Sequence, residues 1–232
     1  MMKTIKLVLI QILYISIFLL ILCESQLQNY YFQGNELSEI LKAASFQFTN
    51  NPMAQIRLFI FYSLLFTLIS INMVVQASDE YGLDSFIIYR CQNKKNYIEY
   101  ELKKIVKKGI EQFILIFLSI LLASLIFVFL IRNYNFSFTS FIMLFIFSVK
   151  YGCIYASMSI LAKILLTRFN VNVITVVILI IYIFIIMLDI NFHFLDLIFF
   201  SNSMMGMIQN IICLIICSVI YYLILKYRKE IV

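Results

Sequence analysis

The chain has 232 residues, of which 63% are hydrophobic and 13% are charged, and its formal net charge is +6. Soluble globular domains average about 45–50% apolar and about 25% charged residues, so this composition excludes a water-soluble domain with an ordinary polar surface. It predicts an all-α integral membrane protein, because each long apolar run must be helical to satisfy its backbone in lipid.

Six apolar segments are long enough to cross a bilayer as helices. Their predicted bounds are about 7–23, 56–76, 110–131, 138–162, 171–188 and 205–225. The first resembles a signal peptide that ends at Cys23, but Leu22 stands where a lipoprotein site needs a small residue. We therefore expect an uncleaved first span. Pro52, which follows Asn51, predicts the start of the second helix.

The distribution of Lys and Arg predicts the orientation of the spans. Fourteen basic residues fall on the side of the two termini and the loop 77–109, against three on the other side. By the positive-inside rule, both termini and this loop are cytoplasmic. The whole chain, 1–232, is then one transmembrane domain.

Two segments on the predicted outer side are too apolar to be free loops. Residues 35–44 have apolar residues at helical spacing, which predicts a short helix at the outer interface. Residues 190–204 are too short for a span, and we expect them to form a re-entrant segment before the sixth span.

The stretch 77–109 between the second and third spans concentrates the charge of the chain. It holds seven of the 18 basic residues and five of the 12 acidic ones. After the acidic pair Asp79 and Glu80, a short helix is predicted over 83–91. One face of it carries Leu83, Phe86, Ile87 and Arg90. The alternative is a loop that only sets the topology and lies on anionic lipid.

A second amphipathic helix is predicted after the polar break CQNKKN. Its apolar face consists of Ile98, Leu102, Ile105 and Val106, and its other face consists of Lys103, Lys104, Lys107 and Lys108. We expect it to lead into a third span that begins at about residue 110. The lysines would then remain on the cytoplasmic side of that span.

Lys150 is the one charge near the middle of a predicted span, where insertion costs roughly 2.5–3.5 kcal/mol. Glu111 and Asp189 lie near span ends. At a rise of about 1.5 Å per residue, each should be more than about 10 Å from Lys150 in depth. Two interpretations stay open: Lys150 faces a polar translocation path or a dimer seam, or it snorkels or donates to nearby backbone carbonyls.

The sequence has no visible catalytic or nucleotide-binding constellation. None of the five glycines belongs to a Gly-rich loop ending in Gly-Lys-Ser/Thr. His193 is the only histidine, and the five cysteines fall mostly within apolar runs, which favours packing roles over metal binding or disulfides. We expect no enzymatic activity, no cofactor or metal on this chain and no nucleic-acid partner.

The stretch DEYGLDSFIIYRCQNKKNYIEYELKK resembles the loop between the second and third spans in permeases of ATP-binding-cassette (ABC) exporters of the second type. That family has an acidic residue, a glycine, a short helix with an apolar face, a basic break and a helix with Lys near its end. The matching positions here are Glu80, Gly82, Leu83, Asp84, and Lys103 or Lys104. The six predicted spans agree with this architecture.

The resemblance implies that two permease chains, identical or homologous, pair in the bacterial plasma membrane and that separate ATP-binding subunits dock on their cytoplasmic side. Helix 83–91 would be the coupling helix. The residues assigned to this contact are Glu80, Gly82, Leu83, Asp84, Phe86, Ile87 and Arg90. ATP and Mg²⁺ would bind to the partner ATPase.

The expected cargo is hydrophobic or amphipathic, for example an antimicrobial peptide or a toxin, because the predicted spans supply almost no charged lining. Membrane lipid is the other expected partner. The alternative function is that of a stand-alone immunity or binding protein, which would capture a toxin in the membrane without ATP coupling.

Overall fold

The structure, a computed structural model, describes residues 94–130, 137–191 and 204–227, together with single positions between 9 and 91. Nearly all of these residues are helical and none is in a strand, which confirms the all-α prediction. The four continuous helices are α1 (Lys94–Leu130), α2 (Phe138–Leu166), α3 (Val171–Asn191) and α4 (Met204–Tyr227).

Three of these helices are long and apolar enough to cross a membrane: α2, the part Val171–Leu188 of α3, and α4. Their bounds agree within four residues with the last three predicted spans. The described positions between 56 and 78 also have helical backbone. The six-span count, the location of both termini and the re-entrant segment at 190–204 extend beyond the described residues and stay predictions.

Helix α2 is the central helix of the described bundle. Of its most apolar stretch, 67% of the residues are buried, against 22% for α3 and 17% for α4. Its start is fixed by Ser137, whose side chain accepts a hydrogen bond from the backbone N–H of Ser140 at 3.3 Å. At its other end, the Thr167 hydroxyl donates to the carbonyl oxygen of Ile164 at 2.7 Å.

Helix α1 joins two elements that the sequence predicts separately. Its 37 residues run from Lys94 through the predicted amphipathic helix and the predicted third span without a break, a length of about 55 Å. The predicted apolar face is buried at Ile98 and Ile105, but Val106 is 48% exposed and lies off that face. A carboxylate, Glu101, occupies the buried face instead.

The register of α1 against its neighbours differs from the predicted one. Gly109 lies against Gly152 of α2, so Glu111 and Lys150 are each two residues from this contact, on the same side of it in the antiparallel pair. They differ in depth by only a few ångströms. The expected separation of more than about 10 Å is therefore wrong for Glu111. The reason is that the first half of α1 packs beside the second half of α2 and does not extend past it.

The first half of α1 lies beside α4 and does not extend past its end. Ile98 and Ile105 share one apolar cluster with Tyr221 and Leu225 of α4. We predicted that this part of the chain would lie on the cytoplasmic side of the spans. The structure sets residues 97–109 level with the second half of α4, because the buried face of α1 needs that apolar surface.

Candidate functional site at the α1–α2 crossing

A buried ion pair joins α1 to α2 near the carboxyl end of α2. The ammonium of Lys163 donates to Oε2 of Glu101. The Glu101 side chain is fully buried and that of Lys163 is 9% exposed. Two buried charges are tolerated only as a pair, so each side chain depends on the position of the other helix.

An apolar shell surrounds this ion pair and limits its access to water. The cluster combines residues of α1, α2 and α4. Its buried members are Tyr97, Ile98, Ile105, Ala156, Ile160, Tyr221 and Leu225. The second carboxylate oxygen, Oε1 of Glu101, is buried and accepts no hydrogen bond within the described part of the chain. Low local polarity strengthens the attraction and also raises the cost of breaking it.

Two glycines let α1 and α2 approach closely about two turns from the ion pair. A Cβ atom added at Gly152 would lie 2.8 Å from the carbonyl oxygen of Gly109. One added at Gly109 would lie 3.1 Å from Cβ of Ala156. Small residues at a helix crossing are typical of membrane bundles, where close backbone packing replaces the hydrophobic effect as the source of association.

An open apolar cavity of about 320 Å³ lies beside this crossing. Its wall comes from three helices and contains no charged side chain. The lining residues are Gly109, Ile110, Phe113, Phe145, Val149, Gly152, Cys153, Ala156 and Leu214. Two of these residues, Phe113 and Phe145, meet edge to face with ring centroids 5.6 Å apart and so join α1 to α2 in the wall.

Three helices place buried polar side chains at the level of the glycine crossing. Lys150 of α2 is fully buried, and Gln112 of α1 and Asn210 of α4 are 8% and 4% exposed. Gln112 and Lys150 lie within one turn of the Gly109–Gly152 contact. Asn210 lies one turn from Leu214, which lines the same cavity. The interior of the bundle therefore has a polar layer near the middle of α2.

Three buried serine hydroxyls in the bundle are satisfied by their own helix. Ser119, Ser148 and Ser159 each donate to the carbonyl oxygen four residues earlier, at 2.6–2.8 Å. This local bond lets a serine lie inside an apolar bundle without a partner from another helix. The Glu101–Lys163 pair differs, since its two members come from different helices.

The residues predicted to contact an ATPase lie outside the described residues. They are Glu80, Gly82, Leu83, Asp84, Phe86, Ile87 and Arg90. Of the predicted site, the structure describes Lys150, which is buried within a single chain and does not lie along its outer surface. Its role in a translocation path stays a prediction. No cluster of three metal-ligating side chains occurs among the residues described.

Sequence reasoning overlooked the site that the structure builds from Glu101, Lys163 and Gly109. Two signals were present. Glu101 lies on the same helical face as Ile98 and Ile105. A carboxylate that only faces solvent would lie on the opposite face. Gly152 and Ala156 have the spacing of a small-residue packing motif.

Comparisons with family models, with curated proteins and with solved structures give no match for this chain.

Proposed function

We propose that this chain is a six-span permease subunit of an ABC exporter in the bacterial plasma membrane. Two permease chains would form the path, and separate subunits would hydrolyse ATP. The cargo would be a hydrophobic or amphipathic molecule such as an antimicrobial peptide or a toxin. Three described helices of suitable length and apolarity support the membrane part of this proposal.

The continuity of α1 is the observation that carries the proposal. This helix begins at Lys94, three residues after the predicted coupling helix 83–91, and continues to Leu130. Its first half is held to α2 by the Glu101–Lys163 pair and to α4 by a buried apolar cluster. A displacement of 83–91 by an ATPase would therefore move three helices together, as transport driven by nucleotide binding requires.

Isolation of the tagged full chain from its native membranes in a mild detergent tests the proposal. We expect an ATP-binding subunit to co-purify. Phe86 and Ile87 should carry the contact, since burial of each is worth roughly 1.5–3 kcal/mol. The double variant Phe86→Ser with Ile87→Ser should weaken docking by about two orders of magnitude and abolish transport, with normal expression.

The matched control reverses the charges of Lys107 and Lys108, which lie within α1 and outside the proposed contact. This variant should keep most of the ATPase. An ATPase retained at the wild-type ratio by the double serine variant would remove 83–91 as the coupling helix. Repeated isolation of the native chain with no ATPase would instead support the stand-alone immunity or binding protein.

A further inference from the structure

Two helices present opposite chemistry to the outside at the same level of the bundle. From 212 to 224, α4 exposes no charged side chain: the exposed residues are Ile212, Cys213, Ile215, Ile216, Val219, Ile220, Tyr222, Leu223 and Ile224. The part of α1 at this level carries a stripe of exposed charged side chains at intervals of four residues. We call it the charged face of α1: Glu99, Lys103, Lys107 and Glu111.

The shared level of the two surfaces rests on contacts between the helices. Ile98 and Ile105 pack with Tyr221 and Leu225, and Gly109 lines one cavity with Leu214. The charged face of α1 therefore runs beside the apolar surface of α4 over about three helical turns. It does not lie beyond either end of that surface.

The side chains of the charged face point away from the bundle. Lys107 and Glu111 are 78% and 61% exposed and lie 4.0 Å apart. Glu99 and Lys103 are also exposed. Tyr100, next to Glu99, is exposed as well and has Lys104 above its ring. The four described helices do not cover these charges, so their solvation must come from outside the described part of the chain.

A bilayer that covers the apolar surface of α4 also includes the level of the charged face of α1. Hydrocarbon cannot solvate four charged side chains, and charged groups at membrane depth face water-filled cavities or other protein groups. Among the described helices, α1 alone carries such a stripe, so lipid cannot surround these four helices evenly. The charges therefore need water or further protein groups on the α1 side.

We propose that the charged face of α1 lines a water-filled cavity that enters the membrane to the level of Lys150 and the glycine crossing. The inference goes beyond the proposed function and holds for any protein whose α4 is embedded in lipid. Small hydrophilic molecules and ions could enter this cavity, whereas the outer side of α4 remains in contact with acyl chains.

Cysteine accessibility in membrane vesicles that contain the full chain tests this inference. The starting variant replaces the five native cysteines: Cys23, Cys91, Cys153, Cys213 and Cys217. Single cysteines are then introduced by Lys103→Cys and Lys107→Cys on α1, and by Ile216→Cys and Val219→Cys at the matched level of α4. Tyr100→Cys repeats the α1 test without removing a charge.

A permanently charged methanethiosulfonate reagent, applied from both sides of the membrane, should react at the α1 positions at least about tenfold faster than at the α4 positions, because hydrocarbon excludes the reagent. Labelling in denaturing detergent shows that every thiol is intact.

Each other outcome overturns the inference. Equal reaction of both helices with the charged reagent would place this level of the bundle outside the hydrocarbon. Failure of the α1 positions to react would mean that protein or lipid covers the charged face. Neither result bears on ATPase co-purification, so the two proposals fail independently.

Discussion

Helices α1 and α4 run beside each other, yet their outer surfaces have opposite chemistry. Helix α4 exposes no charged residue from Ile212 to Ile224, whereas α1 exposes four, Glu99, Lys103, Lys107 and Glu111, beside the apolar Val106 and Ile110. Both helices bury apolar side chains in one shared cluster. The difference shows that the hydropathy of a helix indicates whether its outer surface faces an apolar or a polar environment. It does not by itself give the depth of the helix in a membrane.

The inner surfaces of the two helices also differ in how their polar groups are satisfied. On α4, the Ser218 hydroxyl donates to its own helix, to the carbonyl oxygen of Leu214 at 2.7 Å. On α1, Glu101 takes its partner from α2. The Ser218 hydroxyl therefore tolerates movement of the neighbouring helices, and Glu101 does not.

The largest effect is expected from breaking the ion pair. Lys163→Met leaves Glu101 buried without a counter-charge, which should lower the free energy of unfolding by about 3–5 kcal/mol. The double variant Glu101→Met with Lys163→Met should recover most of this loss, since an apolar pair of similar volume suits the shell. Unfolding of the purified chain in mixed detergent micelles measures both.

Lys107→Met is the matched control for this prediction. It removes a lysine from the exposed pair with Glu111, and the loss should be about 0–1 kcal/mol. A double methionine variant no more stable than Lys163→Met alone would contradict the importance of pairing. The site would then depend on the shape of the two side chains.

The sequence predicts those features of the described fold that depend on one segment alone, namely helix bounds and buried faces. Long apolar runs predicted α2, α3 and α4 within four residues, and the spacing of Ile98 and Ile105 predicted the buried face of α1. The Glu101–Lys163 pair could not be found in this way, because its members lie 62 residues apart. The level of α1 against α4 depends on packing between helices, which hydropathy along the chain does not contain.

The next largest effect is expected on transport when Lys150 is replaced. This side chain is the fully buried charge of the central helix. If it belongs to a polar path, Lys150→Leu should leave the protein inserted and abundant but lower transport. Removing the charge also relieves an insertion cost of roughly 2.5–3.5 kcal/mol, so abundance should not fall. Unchanged transport in vesicles would discard the role in a path and leave a residue satisfied within the bundle.

Substitutions at the glycine crossing should have intermediate and graded effects. Gly152→Ala brings a methyl group 2.8 Å from a backbone oxygen, whereas Gly109→Ala brings one 3.1 Å from a side-chain carbon and a backbone oxygen. Overpacking typically costs about 1–3 kcal/mol, and we expect the Gly152 variant to lose more stability. The same assay measures the free energy of unfolding of both variants. A larger loss for Gly109→Ala than for Gly152→Ala would contradict the distances at the crossing.

The smallest effect is expected where a hydroxyl bonds to its own helix. Ser119→Ala on α1 and Ser218→Ala on α4 each remove a donor to the carbonyl oxygen one turn earlier, at 2.6 and 2.7 Å. That carbonyl can keep its backbone hydrogen bond, so each change should alter the free energy of unfolding by less than about 1 kcal/mol. The two helices should behave alike here, although their outer surfaces differ.

A Ser119→Ala variant that loses as much free energy of unfolding as Lys163→Met would contradict this prediction. The Ser119 hydroxyl would then also hold α1 to a neighbouring helix, and local versus interhelical polar contacts would no longer distinguish α4 from α1.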